Sequence, residues 1–169
     1  VALIPAMTLA FHSGQATRDL LPPELYQRIL DDSVHTPTLV NALQVEPALG
    51  TPSRGGAPAT TARRVDGGWS ITGHKIYSTG AAGLRWMIVM ATTDEDRPRV
   101  GSFAVDARSA GITIEETWDN TGMRATSSHD VIFDEVFVPE DAVFGLQDLA
   151  TRRPADQNPG PGTALPAIY

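Results

Sequence analysis

Cysteine is absent from the 169 residues. Disulfides, thiolate zinc centres and cysteine nucleophiles are therefore excluded, and the cytoplasm is the compartment expected for such a chain. Basic clusters are missing too. The net charge is −7, and without a Lys/Arg patch the chain lacks the electrostatic footprint of a nucleic-acid surface. The apolar stretch 1–11 is too short to span a bilayer and has no basic leader region, so no membrane contact is expected. No G-x-G-x-x-G follows a strand pattern, and neither a P-loop nor a G-x-S-x-G elbow occurs. His12, His35, His74 and His129 show no metal-ligand spacing.

What is present belongs to a folded chain: 41% hydrophobic and 20% charged residues, in the range of globular domains. The length suits one domain or one and a fraction. Both ends read as parts of a longer polypeptide. Residues 1–11 suit a core helix that needs neighbours, and Leu165-Pro166-Ala167-Ile168-Tyr169 begins an apolar segment and stops. Each Leu or Ile left wet forgoes roughly 1.5–3 kcal/mol of burial. Residues 1–20 are expected to form one helix, bent at Pro5. Pro22-Pro23 opens a second, with Glu24 in its first turn and Leu25, Ile29 and Leu30 as its apolar stripe, ending around Asp31-Asp32-Ser33.

From about residue 40 the hydrophobic period changes to two. Strands are expected at 39–45, 60–65, 69–72, 75–78, 86–92, 100–106, 112–117, 130–133 and 135–138, with turns at 52–56, 94–98 and 109–111. Many short strands at this spacing predict a mainly antiparallel sandwich or barrel. Beyond Phe144 the pattern fails, and the Pro/Gly-rich stretch 151–162 reads as a linker. The pattern divides the chain into a helical part at 1–38, a β-domain at 39–146, and a linker with the start of a new apolar segment at 147–169.

The stretch 67–81 organises the chain. Asp66-Gly67-Gly68 supplies the positive φ of a tight hairpin. Trp69 and Ile71 alternate with Ser70 and Thr72, a second turn is expected at Gly73, and a second strand ends in Tyr77-Ser78-Thr79-Gly80-Ala81. An aromatic face, hydroxyls and close backbone approach can receive a flat, polar-edged ring. The same residues also suit an ordinary hairpin with a Gly-rich turn. Elsewhere, Glu46 reads as a surface carboxylate or, equally, as a structural hydrogen-bonding group, with a catalytic role ranked last. Arg124 could hold an anion, but pairing with a carboxylate ranks ahead. His74 reads as a strand residue facing water. His129, beside Ser127, Ser128 and Asp130, makes a poor triad because neighbours on a strand point to opposite faces.

As a set, three segments resemble one family. Val45-Glu46-Pro47-Ala48-Leu49-Gly50-Thr51 resembles the T-E-P-x-x-G-S loop of the acyl-CoA dehydrogenase superfamily. Gly73-His74-Lys75-Ile76-Tyr77-Ser78-Thr79-Gly80 resembles its G-x-K-x-W-I-T-N segment. Gly122-Met123-Arg124 through Phe133-Asp134-Glu135-Val136-Phe137-Val138-Pro139 resembles its G-x-R-x-S-x-T…F-x-x-V-x-V-P segment. Order and spacing fit over about residues 40–145. The resemblance implies an α+β fragment: the family's middle β-domain, preceded by the end of a helical domain, with the C-terminal helical bundle absent and FAD in the crevice between sheet and bundle.

The resemblance also implies site residues. Leu43 and Val45 would offer backbone groups to the flavin edge, Gly50 would allow close approach, and Thr51 would meet flavin or substrate. Tyr77 would lie against the isoalloxazine, Ser78 would contribute its backbone, and Thr79 would bring a hydroxyl to flavin N5. Fixed donors along the ring edge stabilise a reduced flavin, and hydride transfer to N5 is a positioning task. Val45 stands where the family has Thr, Pro52 where it has Asp, and Tyr-Ser-Thr-Gly where it has Trp-Ile-Thr-Asn. This last version resembles the superfamily branch that uses reduced flavin and oxygen. No residue here takes the role of general base, which belongs to the absent bundle, and no metal is expected. Three functions stay open, in order. The first is an FAD-dependent acyl-CoA dehydrogenase reoxidised by an electron-transfer flavoprotein. The second is a monooxygenase fed reduced FMN or FAD by a flavin reductase. The third is a non-catalytic β-domain. A homo-oligomer is expected.

Overall fold

Pro23 opens the first described element, a helix over Pro23–His35 (α1), with Glu24 in its first turn and His35 in its last. Proline suits the first turn because its missing N–H would have no partner there, and the Glu24 charge suits the positive end of the helix dipole. Leu25 and Ile29, four residues apart on one face, are fully buried. The helix stops at Thr36, whose N–H bonds back to Asp32 O at 2.9 Å. Pro37 follows, and the residue before a proline is driven to extended backbone. The computed structural model describes residues 21–48 and 57–151; the expected helix at 1–20, the turn at 52–56 and the tail beyond 151 lie outside them.

Among the described residues eight strands follow: β1 (Leu39–Leu43), β2 (Thr61–Val65), β3 (Gly68–Ser78), β4 (Leu84–Thr93), β5 (Arg99–Asp106), β6 (Ile112–Glu115), β7 (His129–Pro139) and β8 (Val143–Asp148). They join in one sheet of order β6-β7-β3-β2-β4-β5-β8, with β1 beside β4. Most neighbours are antiparallel, as expected, but the sheet is mixed. β1 and β2 each run parallel to β4, β1 along Leu84–Val89 and β2 at Thr92 and Thr93. With β5 antiparallel on the far side of β4, β1 and β2 share one edge of it, end to end. That arrangement brings the segment after β1 back beside the segment before β2.

The apolar face of the sheet carries Trp69, Ile71, Met87, Val89, Phe103, Val105, Val131, Phe133, Val136 and Val138, all buried. Trp69 and Phe103 meet edge to face at 5.8 Å. The helix is tied to the sheet by polar contacts as well. Asp32 accepts the Trp86 indole N–H at 2.9 Å and pairs with Arg85 at 2.8 Å, while Arg85 also pairs with Asp106.

Three expectations need correction. The strands expected at 69–72 and 75–78 are one strand, β3, and Gly73 is not a turn. A Cβ at Gly73 would lie 2.4 Å from Thr60 Oγ1, so the glycine is there for close packing against Thr60. The strands at 130–133 and 135–138 are likewise one, β7, with a left-handed residue at Glu135 (φ 51°) marking an irregularity. Finally β8, read as patternless, pairs with β5; a left-handed Gly145 (φ 65°) interrupts its alternation. The hairpin at Asp66-Gly67 is as expected: Val65 pairs with Gly68, and Gly67 has φ 73°.

Candidate functional site

The end of β3 turns sharply. Tyr77 has φ 55° and Gly80 φ 76°. A left-handed conformation at an aromatic residue is strained, and strain of this kind gathers at functional sites. It throws the Tyr77 ring outward: the residue is 60% exposed and meets Trp118 edge to face at 6.1 Å. The bend is held from several directions. The Thr79 N–H bonds to Tyr77 O at 2.8 Å, the Gly80 N–H to Thr126 O at 2.8 Å, and the Ala81 N–H to Ser127 O at 3.2 Å. On β1, Asn41 Nδ2 donates to Thr79 O at 3.0 Å, while its Oδ1 accepts the Ala42 N–H.

The hydroxyls of Thr79 and Ser128 lie 3.0 Å apart, and those of Ser128 and Thr126 2.8 Å apart. Ser78 is buried, and its Oγ has no hydrogen-bond partner among the described residues. A buried orphan hydroxyl costs free energy unless something outside the chain meets it. That orphan, an outward aromatic face and a nearby row of hydroxyls suit a flat ring with polar atoms on its edge.

The loop expected to share the site lies alongside. Val45 O accepts the Ile76 N–H at 3.0 Å, which sets Val45 next to the residue before Tyr77. Leu43 ends β1, buried, opposite Val89. Gly50 and Thr51 lie outside the described residues.

Glu46 is neither a surface carboxylate nor a ligand-facing one. It is 2% exposed and accepts the Ala59 N–H (2.6 Å), the Thr60 N–H (3.1 Å), the Thr60 hydroxyl (2.6 Å) and the Lys75 ammonium (2.6 Å). Lys75, the only lysine in the chain, is fully buried and also donates to Met90 O at 2.7 Å. The pair clamps three elements together: the loop after β1, the approach to β2, and β3 just before the bend. Burial would raise the Glu46 pKa, but the Lys75 and Thr60 hydrogen bonds, the lysine's charge and the Ala59 amide outweigh it and the net shift is downward. Burial pushes the Lys75 ammonium down, against the hydrogen bond and charge of Glu46.

The remaining candidates are placed as follows. His74 is half-exposed, with Nε2 2.7 Å from Asp130 Oδ2, and Asp130 Oδ1 accepts the Thr117 hydroxyl at 2.7 Å. His129 Nδ1 accepts the Trp118 N–H at 3.2 Å, so it forms no triad with its neighbours. Arg124 pairs with Asp119 and donates to Asn120 O at 3.0 Å, the carboxylate reading. Asn41 carried no signal in the sequence. Ser128 sits in the third matching segment without having been singled out as a site residue. Among the described residues no group of three or more His, Cys, Asp or Glu could hold a metal.

Sheet, clamp and bend define a class: a β-domain that presents a strained, hydroxyl-rich bend suited to a flat ligand. Residues 45–136, more than half of the chain, match the model of the acyl-CoA dehydrogenase middle domain, and the chain belongs to that family. It is 38% identical over 136 residues to the acyl-CoA dehydrogenase-like protein YdbM of Bacillus subtilis, covering 80% of this chain and 35% of that one. Among solved structures, FMN-bound TdsC from Paenibacillus sp. A11-2 is 25% identical with a TM-score of 0.68, covering 80% of this chain and 34% of that one. XiaF from Streptomyces sp., in complex with FADH2 and glycerol, is 29% identical with a TM-score of 0.59, covering 79% and 30%. The chain thus spans about a third of the length of these proteins.

Proposed function

We propose that this chain is the middle, flavin-holding part of an FAD-dependent acyl-CoA dehydrogenase, which removes hydrogen from the α and β carbons of an acyl-CoA thioester. The observation that carries this reading is the bend after β3. Its outward Tyr77, buried orphan Ser78 hydroxyl and Thr79 hydroxyl stand one, two and three residues beyond Ile76, whose N–H bonds to Val45 O. Family membership and the likeness to YdbM support the dehydrogenase version. A bound flavin supplies a two-electron acceptor. The chain's own residues do the positioning. Tyr77 offers a ring face, Ser78 and Thr79 offer polar groups at the bend, and the backbone of Leu43 and Val45 offers an edge. The clamp of Glu46 and Lys75 keeps these segments in register beneath the site. The base that takes a substrate proton comes from outside this chain, and an electron-transfer flavoprotein serves as reoxidant. The proposal extends to a cytoplasmic homo-oligomer.

A second reading, a monooxygenase supplied with reduced FMN or FAD by a reductase, is favoured by Tyr77-Ser78-Thr79-Gly80 itself and by the likeness to TdsC and XiaF. One experiment separates the two. On the flavin-loaded full-length protein, anaerobic addition of a short-chain acyl-CoA should bleach the flavin absorbance. Absence of bleaching, with oxygen consumption that depends on added reduced flavin, would replace the dehydrogenase by the monooxygenase. A full-length protein that retains no flavin would leave only a binding module.

A further inference from the structure

The loop of residues 116–128, between β6 and β7, is pinned near its start by the first two residues of β7. At Asp130 the bonds run both ways. The Thr117 hydroxyl donates to Oδ1 at 2.7 Å, and the Asp130 N–H donates to Thr117 Oγ1 at 3.2 Å. At His129 there is one bond, and it needs a proton to be absent. The Trp118 N–H donates to Nδ1 at 3.2 Å. A backbone N–H only donates, so Nδ1 carries no hydrogen and the ring proton is on Nε2. Turning the ring over would set a C–H against the amide and leave the amide without a partner. A protonated imidazole has an N–H on both nitrogens. Two N–H groups would then face each other, and the bond could not form.

What hangs on that amide reaches the bend after β3. The Trp118 ring meets Tyr77 edge to face at 6.1 Å, and its indole N–H donates to Met123 O at 3.1 Å. Farther along the same loop, Thr126 O and Ser127 O accept the Gly80 and Ala81 amides. We propose that His129 is a proton-operated latch for this loop: unprotonated at Nδ1 it holds Trp118 against Tyr77, and protonated there it lets the Trp118 backbone go. The latch goes beyond the flavin reading and does not depend on it.

The ionisable groups around His129 are mostly engaged with other partners. On β3, which pairs with it at Ser78, Lys75 is bonded to Glu46 and His74 to Asp130, while Tyr77 faces outward. In the loop, Arg124 pairs with Asp119. Glu115, opposite Asp130 on β6, and Glu116 after it are exposed. On β5, which packs against β7, Arg99 pairs with Glu95, and Asp106 with Arg85 and Arg108. Residues 81–83, which also pack on β7, carry no charge. Among the described residues His129 forms no ion pair. The Trp118 amide is therefore the contact that its protonation breaks.

The test is hydrogen exchange of the Trp118 amide in the full-length protein, between about pH 8 and pH 5, the range in which histidine exchanges its proton. Rates are corrected for the intrinsic pH dependence of exchange. Wild-type protection at Trp118 should fall about tenfold on acidification, the scale of one lost hydrogen bond. His129→Asn sets an amide oxygen close to the place of Nδ1 and does not titrate, so its protection should stay level across the range. His129→Phe has no acceptor, so its protection should be low throughout. His74→Gln removes the other nearby histidine and should keep the wild-type fall. Wild-type protection that is the same at both ends of the range would overturn the latch. A fall that persists in His129→Asn, or that disappears in His74→Gln, would also overturn it, because the trigger would then lie elsewhere.

Discussion

At Glu46 the cost of burying a charge meets an unusually full set of donors. Two backbone amides, a hydroxyl and an ammonium all reach its carboxylate, and this is what an ionised group needs to stay charged away from water. Removing one partner should be worse than removing both charges. Lys75→Met strands a buried carboxylate and should cost about 3–5 kcal/mol. Glu46→Gln added to it keeps acceptor capacity for the amides and removes the charge, so the double variant should be the more stable of the two in urea unfolding. Strict additivity would contradict the clamp. The pH dependence follows from the signs. The Glu46 pKa is depressed in the fold, so its contribution is complete above the ordinary glutamate range and is lost as pH falls through the depressed value. The Lys75 pKa is also lowered, but for a cation that means charged Lys75 opposes folding, and the opposition is relieved only as pH rises through its folded value. The stability gap between wild type and Glu46→Gln should therefore close in acid.

Among the elements, β3 shows why packing overrides local propensity. Gly73 looks like a turn in the sequence, and an exposed turn glycine tolerates alanine where φ permits. In the fold a Cβ there would meet Thr60 Oγ1, Cγ2 and Cβ at 2.4, 2.6 and 2.7 Å. Thr60 cannot simply move aside, because its hydroxyl and amide are both bonded to Glu46. Gly73→Ala should cost about 1–3 kcal/mol, the usual scale of overpacking, measured by thermal unfolding; a neutral result would put Gly73 back in a turn. The same contrast explains what was legible beforehand. The helix was visible because Pro23, Glu24, Leu25 and Ile29 each signal it locally, and the hairpin because Asp66-Gly67 has only one comfortable geometry. The parallel pairings of β1 and β2 with β4 were invisible, since register between distant segments depends on contacts that no single stretch encodes. β8 was missed because Gly145 breaks its period. At the site, Tyr77, Ser78 and Thr79 stood out as a motif. Their supports, Asn41 and the Thr126–Ser128 pair, depend on residues far away in sequence and came to light only once β1, β3 and β7 were assembled.

On the scale of the whole molecule, the proposed reading gives this chain one wall of the site. It spans about a third of YdbM, TdsC and XiaF, and on the proposed reading the base and the facing wall come from the rest of the protein. Two properties of the sheet serve that division. The bend is anchored at its back by Asn41 and the loop of residues 116–128, and its front, at Tyr77, stays open. Beneath it the buried Glu46–Lys75 pair joins the loop of Val45 to the strand of Tyr77, so that two segments from different parts of the chain are held as a unit. The most direct measurement is the visible spectrum and anaerobic reduction of the full-length, flavin-loaded protein carrying Thr79→Val. The account predicts a shifted flavin spectrum and reduction slowed by about tenfold, the loss of one hydrogen bond at the ring. A Thr79→Val protein with the spectrum and reduction rate of wild type would contradict it.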